Sequence, residues 1–460
     1  VVASAEAVKI DPWGSSQFQD YARLRDEFGI AGFGPAEWGV FASPHPLFRR
    51  GVVFGHRDFE RVSDAVKAKD PWSVMTGFMP SGDLHLGHKM LLDQLVAHQG
   101  EGADLHLALA DFEAIAARGF TAAKAERIAL DQYVHNALAL GLKPDNAEFY
   151  FQTRRHRVNV LAHQFAQRIT ISTLQNLYGF EASTSIAHLL APLVQSADIL
   201  HVQLDDRNPR PTLVPVGVDQ DPHIRLARDI AQQWRIFSVK EDKAGLAVFM
   251  SPEVSARFGE RDVKAMLDLA EETLRAEGYG ELRRDDSYKV VYVRGAKGDA
   301  RRIDLALARA ERNNTKEVAG GLVQGLGFVP PSATFHRFMT GLQGGKMSSS
   351  KPETSVYLTE SPESATKKVK ASVTGGRATA EEQRRIGAEP DKCPVYEMYL
   401  YHLAKDDSHL QTVYDECRTG KRLCGGCKGE AVGLLVEFLK QHKERRDETA
   451  HLIPQVVAKD

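Results

Sequence analysis

Short apolar runs at residues 72–76, 105–110 and 213–218 punctuate the first half of the chain, and longer amphipathic stretches follow, at 86–98 and from near Asp221. A run followed by a 3.6-residue period predicts a strand and then a helix. Their alternation predicts a parallel α/β sheet, whose ligands bind at the carboxyl ends of the strands. Residues 237–325 carry more charge and helical periodicity at 263–275 and 303–312, around one expected strand at 288–293. From about Ser364 onward the pattern is helical, and the last helix places Val432, Leu435, Val436 and Leu439 on one face. Residues 1–60 mix short helical stretches with turn signals such as Asp11-Pro12 and Pro44-His45-Pro46. The expected organisation is an N-terminal extension (1–70), an α/β domain in two parts (71–236 and 326–363), an insertion between them (237–325) and an all-α region (364–460). No internal repeat or low-complexity segment interrupts it.

Composition narrows the class. At 460 residues, with 43% hydrophobic and 26% charged residues, the chain has the profile of a soluble protein of two or three domains. No window reaches the ~18 uninterrupted apolar residues of a membrane span. No secretory signal opens the sequence, so a cytoplasmic location is expected. A net charge of −2 neither indicates nor excludes a polyanionic partner, which responds to local patches. Basic residues concentrate in the C-terminal part, at Lys367, Lys368 and Lys370, at Arg377, Arg384 and Arg385, at Lys421 and Arg422, and over 440–446.

Two segments carry the candidate chemistry. Met75-Thr76-Gly77-Phe78-Met79-Pro80-Ser81-Gly82-Asp83-Leu84-His85-Leu86-Gly87-His88 runs from a strand through a Pro/Gly turn into a helix N-terminus. Backbone N–H groups without intrahelical partners and the positive end of the helix dipole favour phosphate there. His85 and His88, three apart, can donate to the same oxygens, and Gly87 leaves room for a purine. A His-x-x-His quartet alone equally suits a metal site, although no third ligand stands out. No Gly-x-x-x-x-Gly-Lys-Ser/Thr loop is present. The second segment, Gly344-Gly345-Lys346-Met347-Ser348-Ser349-Ser350-Lys351, is a flexible entry followed by a lysine and three hydroxyls. Such a loop can close over a triphosphate and bring an ammonium to the charge that grows at phosphorus.

Together these strings resemble the HIGH signature (Pro80 to His88) and the KMSKS signature (Lys346 to Ser350) of class I aminoacyl-tRNA synthetases, in the same order and setting. The resemblance covers roughly residues 70–236 and 326–450 and leaves the insertion uncovered. It implies a Rossmann-like parallel-sheet catalytic domain followed by an all-α anticodon-binding domain. It also implies activation of an amino acid by ATP with Mg2+, then transfer to the terminal ribose of tRNA. His85, His88 and Lys346 are the implied catalytic residues. The implied ATP contacts are Gly77, Pro80, Ser81, Gly82, His85, Gly87, His88, Lys346, Met347, Ser348 and Ser349. A homodimer is expected because the resembling enzymes are dimers.

Two further segments bear on the amino acid. Gln195 and Asp198, three apart on the apolar stretch 189–200, present polar groups on one face of a buried wall. Asp198 resembles the aspartate that tryptophanyl and tyrosyl enzymes aim at the indole N–H or the phenol hydroxyl. A helix-to-core hydrogen bond is the plainer reading. At the end of the 213–218 strand, Asp219-Gln220-Asp221-Pro222 suits contact with an α-ammonium or a ribose hydroxyl. This run is similar to that of the archaeal and eukaryotic-type tryptophanyl enzymes, and it tilts the expected substrates to L-tryptophan and tRNA(Trp). Met75 departs from the tyrosine that the eukaryotic enzymes place there. Glu113 matches a position facing the side chain, and Gln220 completes the expected set of Met75, Glu113, Gln195, Asp198 and Gln220. A tyrosyl enzyme and a catalytically inactive, synthetase-like RNA-binding protein are the rival readings.

All four cysteines, Cys393, Cys417, Cys424 and Cys427, lie in the helical part with spacing C-x23-C-x6-C-x2-C. Four thiolates suit tetrahedral zinc or an iron–sulfur cluster. Some tryptophanyl enzymes carry a [4Fe–4S] cluster on a nearly identical spacing, which makes the cluster the expected cofactor and zinc the alternative. Its expected role is structural, shaping an anticodon-facing surface with Lys421, Arg422 and Lys428.

Overall fold

The computed structural model describes residues 21–204, 209–256, 259–318, 327–347 and 351–459. Among them the apolar runs become strands β1 (Ala31–Gly32), β2 (Val53–Arg57), β3 (Ser73–Phe78), β4 (Asp104–Leu109), β5 (Ala147–Phe151), β6 (Thr212–Gly217), β7 (Phe237–Asp242), β8 (Gly245–Met250), β9 (Leu282–Asp285), β10 (Val290–Arg294) and β11 (Ser332–His336). They form two sheets, ordered β1-β2-β11-β6-β3-β4-β5 and β7-β8-β10-β9. In the larger sheet, β11, β6, β3, β4 and β5 run parallel, while β2 and β1 add antiparallel at the β11 edge. The four central-to-edge strands bury almost every side chain, as a parallel sheet covered by helices on both faces requires. The winding direction reverses between β3 and β6. The crevice at their carboxyl ends is therefore the natural ligand site.

Strand β2 lies within the stretch read as an extension and pairs with β11. Val53, Phe54, Gly55 and His56 are all buried, so no alternation marks it as a strand in the sequence. The smaller sheet holds three strands that periodicity missed. Its edge strands β7 (Phe-Ser-Val-Lys-Glu-Asp) and β9 (Leu-Arg-Arg-Asp) are charged, which protects an open edge and dilutes the apolar signal. This sheet packs on helices Glu260–Ala276 and Ala300–Val318 around its own core of Phe237, Val248, Leu267, Val291 and Leu307. Buried Arg235 ties the unit to the larger sheet, 2.7 Å from Asp304 and 3.0 Å from Glu311.

Beyond Pro362 the described regular structure is helical, ending in the long helix Cys424–Thr449. Leu435 and Leu439 of that helix share one apolar cluster with Leu86, Leu95 and Leu107. The long helix thus packs on helices that cover the sheet, and His442 Nε2 lies 2.7 Å from Asn136 Oδ1 of helix His135–Ala139 across the contact. No helix among the described residues is long and apolar enough to cross a membrane.

Candidate active site

Strand β3 ends at Phe78, and the turn after it delivers His85 as the N-cap of helix Leu86–Gly100. His85 Nδ1 accepts from Gly87 N (3.1 Å) and His88 Nδ1 accepts from His85 N (3.3 Å), a reciprocal cap built from two imidazoles. The rings stack with centroids 4.0 Å apart. With both Nδ1 atoms accepting, the neutral tautomers carry hydrogen on Nε2, the one donor each ring can offer a ligand. Burial, with Lys346 adding to it, pushes His88 down to about 4, and burial together with His88 and Lys346 holds His85 well below its ordinary value. Both are neutral at pH 7. A Cβ at Gly87 would meet the His85 ring at 2.9 Å, so the glycine makes room for that imidazole.

The second signature forms a hairpin after β11. Met347 N donates to Met339 O (3.1 Å) and Thr340 bridges Lys346. Gly344 and Gly345 make its turn at φ +87° and +74°, which an L side chain would strain. Lys346 Nζ lies 4.0 Å from the Phe338 ring centroid and 3.4 Å from Asp219 Oδ2. Ser348, Ser349 and Ser350 lie outside the described residues. One pocket gathers Gly77, Ser81, His85, Gly87, His88, Lys346 and Met347 from the sequence-derived set. Pro80 and Gly82 shape the preceding turn and do not line it. Arg118, Tyr133, His336 and Phe338 line it as well and were not anticipated as ATP contacts, and so does Asp219, expected to suit an α-ammonium or a ribose hydroxyl. Two had a signal: His336 is the last residue of β11, and Asp219 follows β6 by two residues.

A second pocket adjoins the first, sharing Gly77, Met79, Gln220 and His336, and it gathers Met75, Glu113, Gln195, Asp198 and Gln220. Asp198, on helix Ile186–His201, is 2% exposed. Its Oδ1 accepts from Tyr150 Oη (2.9 Å) and its Oδ2 from Gln152 Nε2 (2.5 Å). The Arg155 guanidinium lies 4.3 Å from the Tyr150 ring centroid and pairs with Glu148 at 2.8 Å. Burial pushes the Asp198 carboxyl up to about 7, against the pull of Gln152, Tyr150 and Arg155. Burial also raises Glu113. Gln195 Oε1 is buried without a hydrogen-bond partner among the described residues, an acceptor that a bound donor would satisfy. Tyr150 and Gln152, at and just beyond the end of β5, escaped the sequence reading because β5 carries no motif.

The four cysteines converge from three elements on a separate pocket with Gly375 and Gly376. Cys393 caps helix Pro394–Met398, Cys417 ends helix Asp407–Arg418, and Cys424 and Cys427 open helix Cys424–Thr449. A Cβ at Gly376 would stand 2.6 Å from Cys424 Sγ. Burial and the neighbouring thiols raise Cys417 to about 11. No group of three or more His, Cys, Asp or Glu side chains among the described residues is arranged to hold a metal ion, so the expected cluster or zinc at these cysteines gains no support from their geometry. The cations expected beside this pocket are partly committed within the protein. Arg422 pairs with Glu416 and Glu430, and Lys428 Nζ donates to the Lys370 and Ser372 carbonyls.

The family described as class I tRNA synthetases (W and Y) matches residues 67–254 and 301–440, and the gap between them falls within the second sheet and its helices. A tryptophan–tRNA ligase of Methanosarcina acetivorans is 42% identical over 441 residues, spanning 95% of this chain and 96% of its own length. One of Archaeoglobus fulgidus is 41% identical over 441 residues, spanning 96% and 97%. The crystal structure of tryptophanyl-tRNA synthetase from Aeropyrum pernix K1 has a TM-score of 0.72 at 35% identity, covering 98% of this chain and 99% of that one. The chain therefore belongs to the class I tRNA synthetases of the W and Y family, and within it to the tryptophan–tRNA ligases.

Proposed function

We propose that the chain activates L-tryptophan with Mg2+-ATP and transfers it to tRNA(Trp), and that the two adjoining pockets are the amino-acid and ATP halves of one site. The observation carrying this reading is their shared lining at Gly77, Met79, Gln220 and His336. Substrates seated in the two halves meet at that boundary, with the amino-acid carboxylate facing the α-phosphorus. The carboxylate oxygen attacks phosphorus and pyrophosphate leaves. A ribose hydroxyl of tRNA then takes the acyl group and AMP leaves. The neutral Nε2–H groups of His85 and His88 donate to phosphate oxygens, and Lys346 leaves Asp219 for the charge developing on the leaving group. Charging of tRNA with labelled tryptophan tests the reading; an enzyme that charges no tRNA with tryptophan overturns it.

On the amino-acid side, Asp198 is the proposed acceptor for the indole N–H. Tyr150 and Gln152 each occupy one oxygen as donors, which orients the carboxylate and leaves lone pairs for a ring N–H. Gln220 is the proposed partner of the α-ammonium, and Glu113 and Gln195 are proposed to face the side chain in the same pocket.

The helical region is the proposed anticodon-binding part, with Arg384, Arg385 and Lys421 among its exposed cations. The four-thiol pocket is proposed to hold a [4Fe–4S] cluster. What supports this reading is that four cysteines line one pocket, the donor number that such a cluster or a zinc ion takes. Such a cluster would cross-link three helices and take no part in the adenylate chemistry. A cytoplasmic homodimer completes the proposal. Ile186 and Leu190, four apart on one helix and 74% and 42% exposed, form an apolar strip that a second copy would cover.

A further inference from the structure

One short segment of the helical region reaches both nucleotide motifs. It consists of helix Pro394–Met398 and the π-turn Tyr399–Leu403. From it, Glu397 Oε2 accepts from Thr340 N (2.7 Å) and Oε1 accepts from Thr340 Oγ1 (2.9 Å). Thr340 is one arm of the hairpin whose other arm is Lys346. Tyr401 Oη donates to Phe338 O (3.5 Å), and the Phe338 ring is the surface on which the Lys346 ammonium rests. On the opposite side, His402 Nε2 donates to Leu86 O (2.9 Å), the first carbonyl of the helix capped by His85. Tyr399 Oη donates to Cys427 O (3.0 Å), which anchors the segment to the long C-terminal helix.

Among the described residues, none beyond Met347 lines either substrate pocket. The helical region therefore bears on the chemistry through the residues it holds. Glu397 is the strongest of these links, because a carboxylate taking both donors of one residue fixes that residue's backbone and side chain together. Burial raises the Glu397 carboxyl while the Thr340 donors oppose the shift, as a working acceptor in a partly dry contact would show.

We propose that Glu397 is a positioning residue for the ATP half of the site: by gripping Thr340 it sets the hairpin that presents Lys346, and so couples the helical region to amino-acid activation. This rests on the reading of the pockets as an adenylate-forming site. A ligand on the helical region that shifts segment 394–403 would reach Lys346 through Thr340 and reach the His85 helix through His402.

The test is steady-state ATP–pyrophosphate exchange by the full-length protein, normalised to titrated active sites, with KM measured separately for ATP and tryptophan. Glu397→Ala is expected to lower kcat/KM for ATP by roughly 10- to 100-fold, the scale of a lost charge-assisted hydrogen bond, while the KM for tryptophan stays within about twofold. Glu397→Gln keeps an acceptor for the Thr340 N–H and a partner for its hydroxyl, so it should recover most of the activity. Thr340→Val should act in the same direction more weakly, and combining it with Glu397→Ala should cost less than the sum. If Glu397→Ala does not fold, Thr340→Val carries the test by the same readout. An unchanged kcat/KM for ATP, or an equal loss toward both substrates, overturns the proposal. An inactive wild-type enzyme would instead overturn the functional reading beneath it.

Discussion

Lys346 and Asp219 form a pair, Nζ to Oδ2 at 3.4 Å, at the boundary of the phosphate pocket. The lysine side chain is 27% exposed and the aspartate 9%, so the pair is solvent-accessible on one side only. Burial raises the Asp219 carboxyl and Lys346 pulls it back. On the proposed reading, this ammonium moves from Asp219 to the triphosphate when ATP binds.

If Lys346 serves the triphosphate as proposed, replacing it removes charge stabilisation from the transition state, and the amino-acid pocket, which it does not line, stays intact. Lys346→Met is expected to slow tryptophan-dependent exchange by roughly 100- to 1,000-fold. Tryptophan affinity, read by equilibrium binding, should change by less than about threefold. Loss of tryptophan binding of similar size would place the lysine in the wrong half of the site.

If Asp198 accepts the indole N–H as proposed, recognition is pH-dependent. Its carboxyl sits at about 7 in the fold, against 3.8 as the ordinary value. Only the ionised form accepts a ring N–H with both oxygens free of hydrogen. Tryptophan affinity should thus be full above pH 7 and fall as pH drops through it, approaching tenfold per unit. Asp198→Asn should flatten the profile. The stability linkage has the opposite sense: between about 4 and 7 the folded chain keeps a proton that the unfolded chain has released, so this group's contribution is lost as pH rises. His85 and His88, depressed by burial, should add no inflection between pH 6 and 8.

Gln152 and Tyr150 orient Asp198 without carrying charge. Gln152→Leu leaves one carboxylate oxygen unpartnered in a buried site, at a cost of about 1–3 kcal/mol. The expected result is a KM for tryptophan raised roughly tenfold with the KM for ATP unchanged. A defect shared equally by both substrates would assign Gln152 to the frame of the sheet.

The four thiols predict a bound cofactor that can be weighed. Anaerobic purification should give a brown protein with about four irons and four acid-labile sulfides per chain. Cys417→Ser should lose the colour and lower the melting temperature. Stoichiometric zinc in a colourless protein would replace the cluster with a single ion.

Much of the site was legible because its chemistry is local in the chain. His85, Gly87 and His88 announce a helix N-terminus, and Gly344-Gly345 announce a turn before Lys346; the folded chain brings these two segments to one pocket. Asp198 was legible as a lone carboxylate on an apolar helix. Its partners Tyr150 and Gln152 were not, since β5 is buried in an unbroken run from Phe149 to Phe151 and shows no alternation, and its end carries no motif. The same reason hid β2, and charge on the edge strands hid β7 and β9. Glu397 lies 57 residues from Thr340, and only tertiary packing makes it a partner of the hairpin.

The most direct measurement is ATP–pyrophosphate exchange by the purified chain with tryptophan and tyrosine as separate substrates. Exchange is expected with tryptophan and, for tyrosine, a lower kcat/KM, because the phenol leaves part of an indole-sized space unfilled and carries its donor at the far end of a single ring. Exchange driven equally well or better by tyrosine, or by neither amino acid, would contradict it.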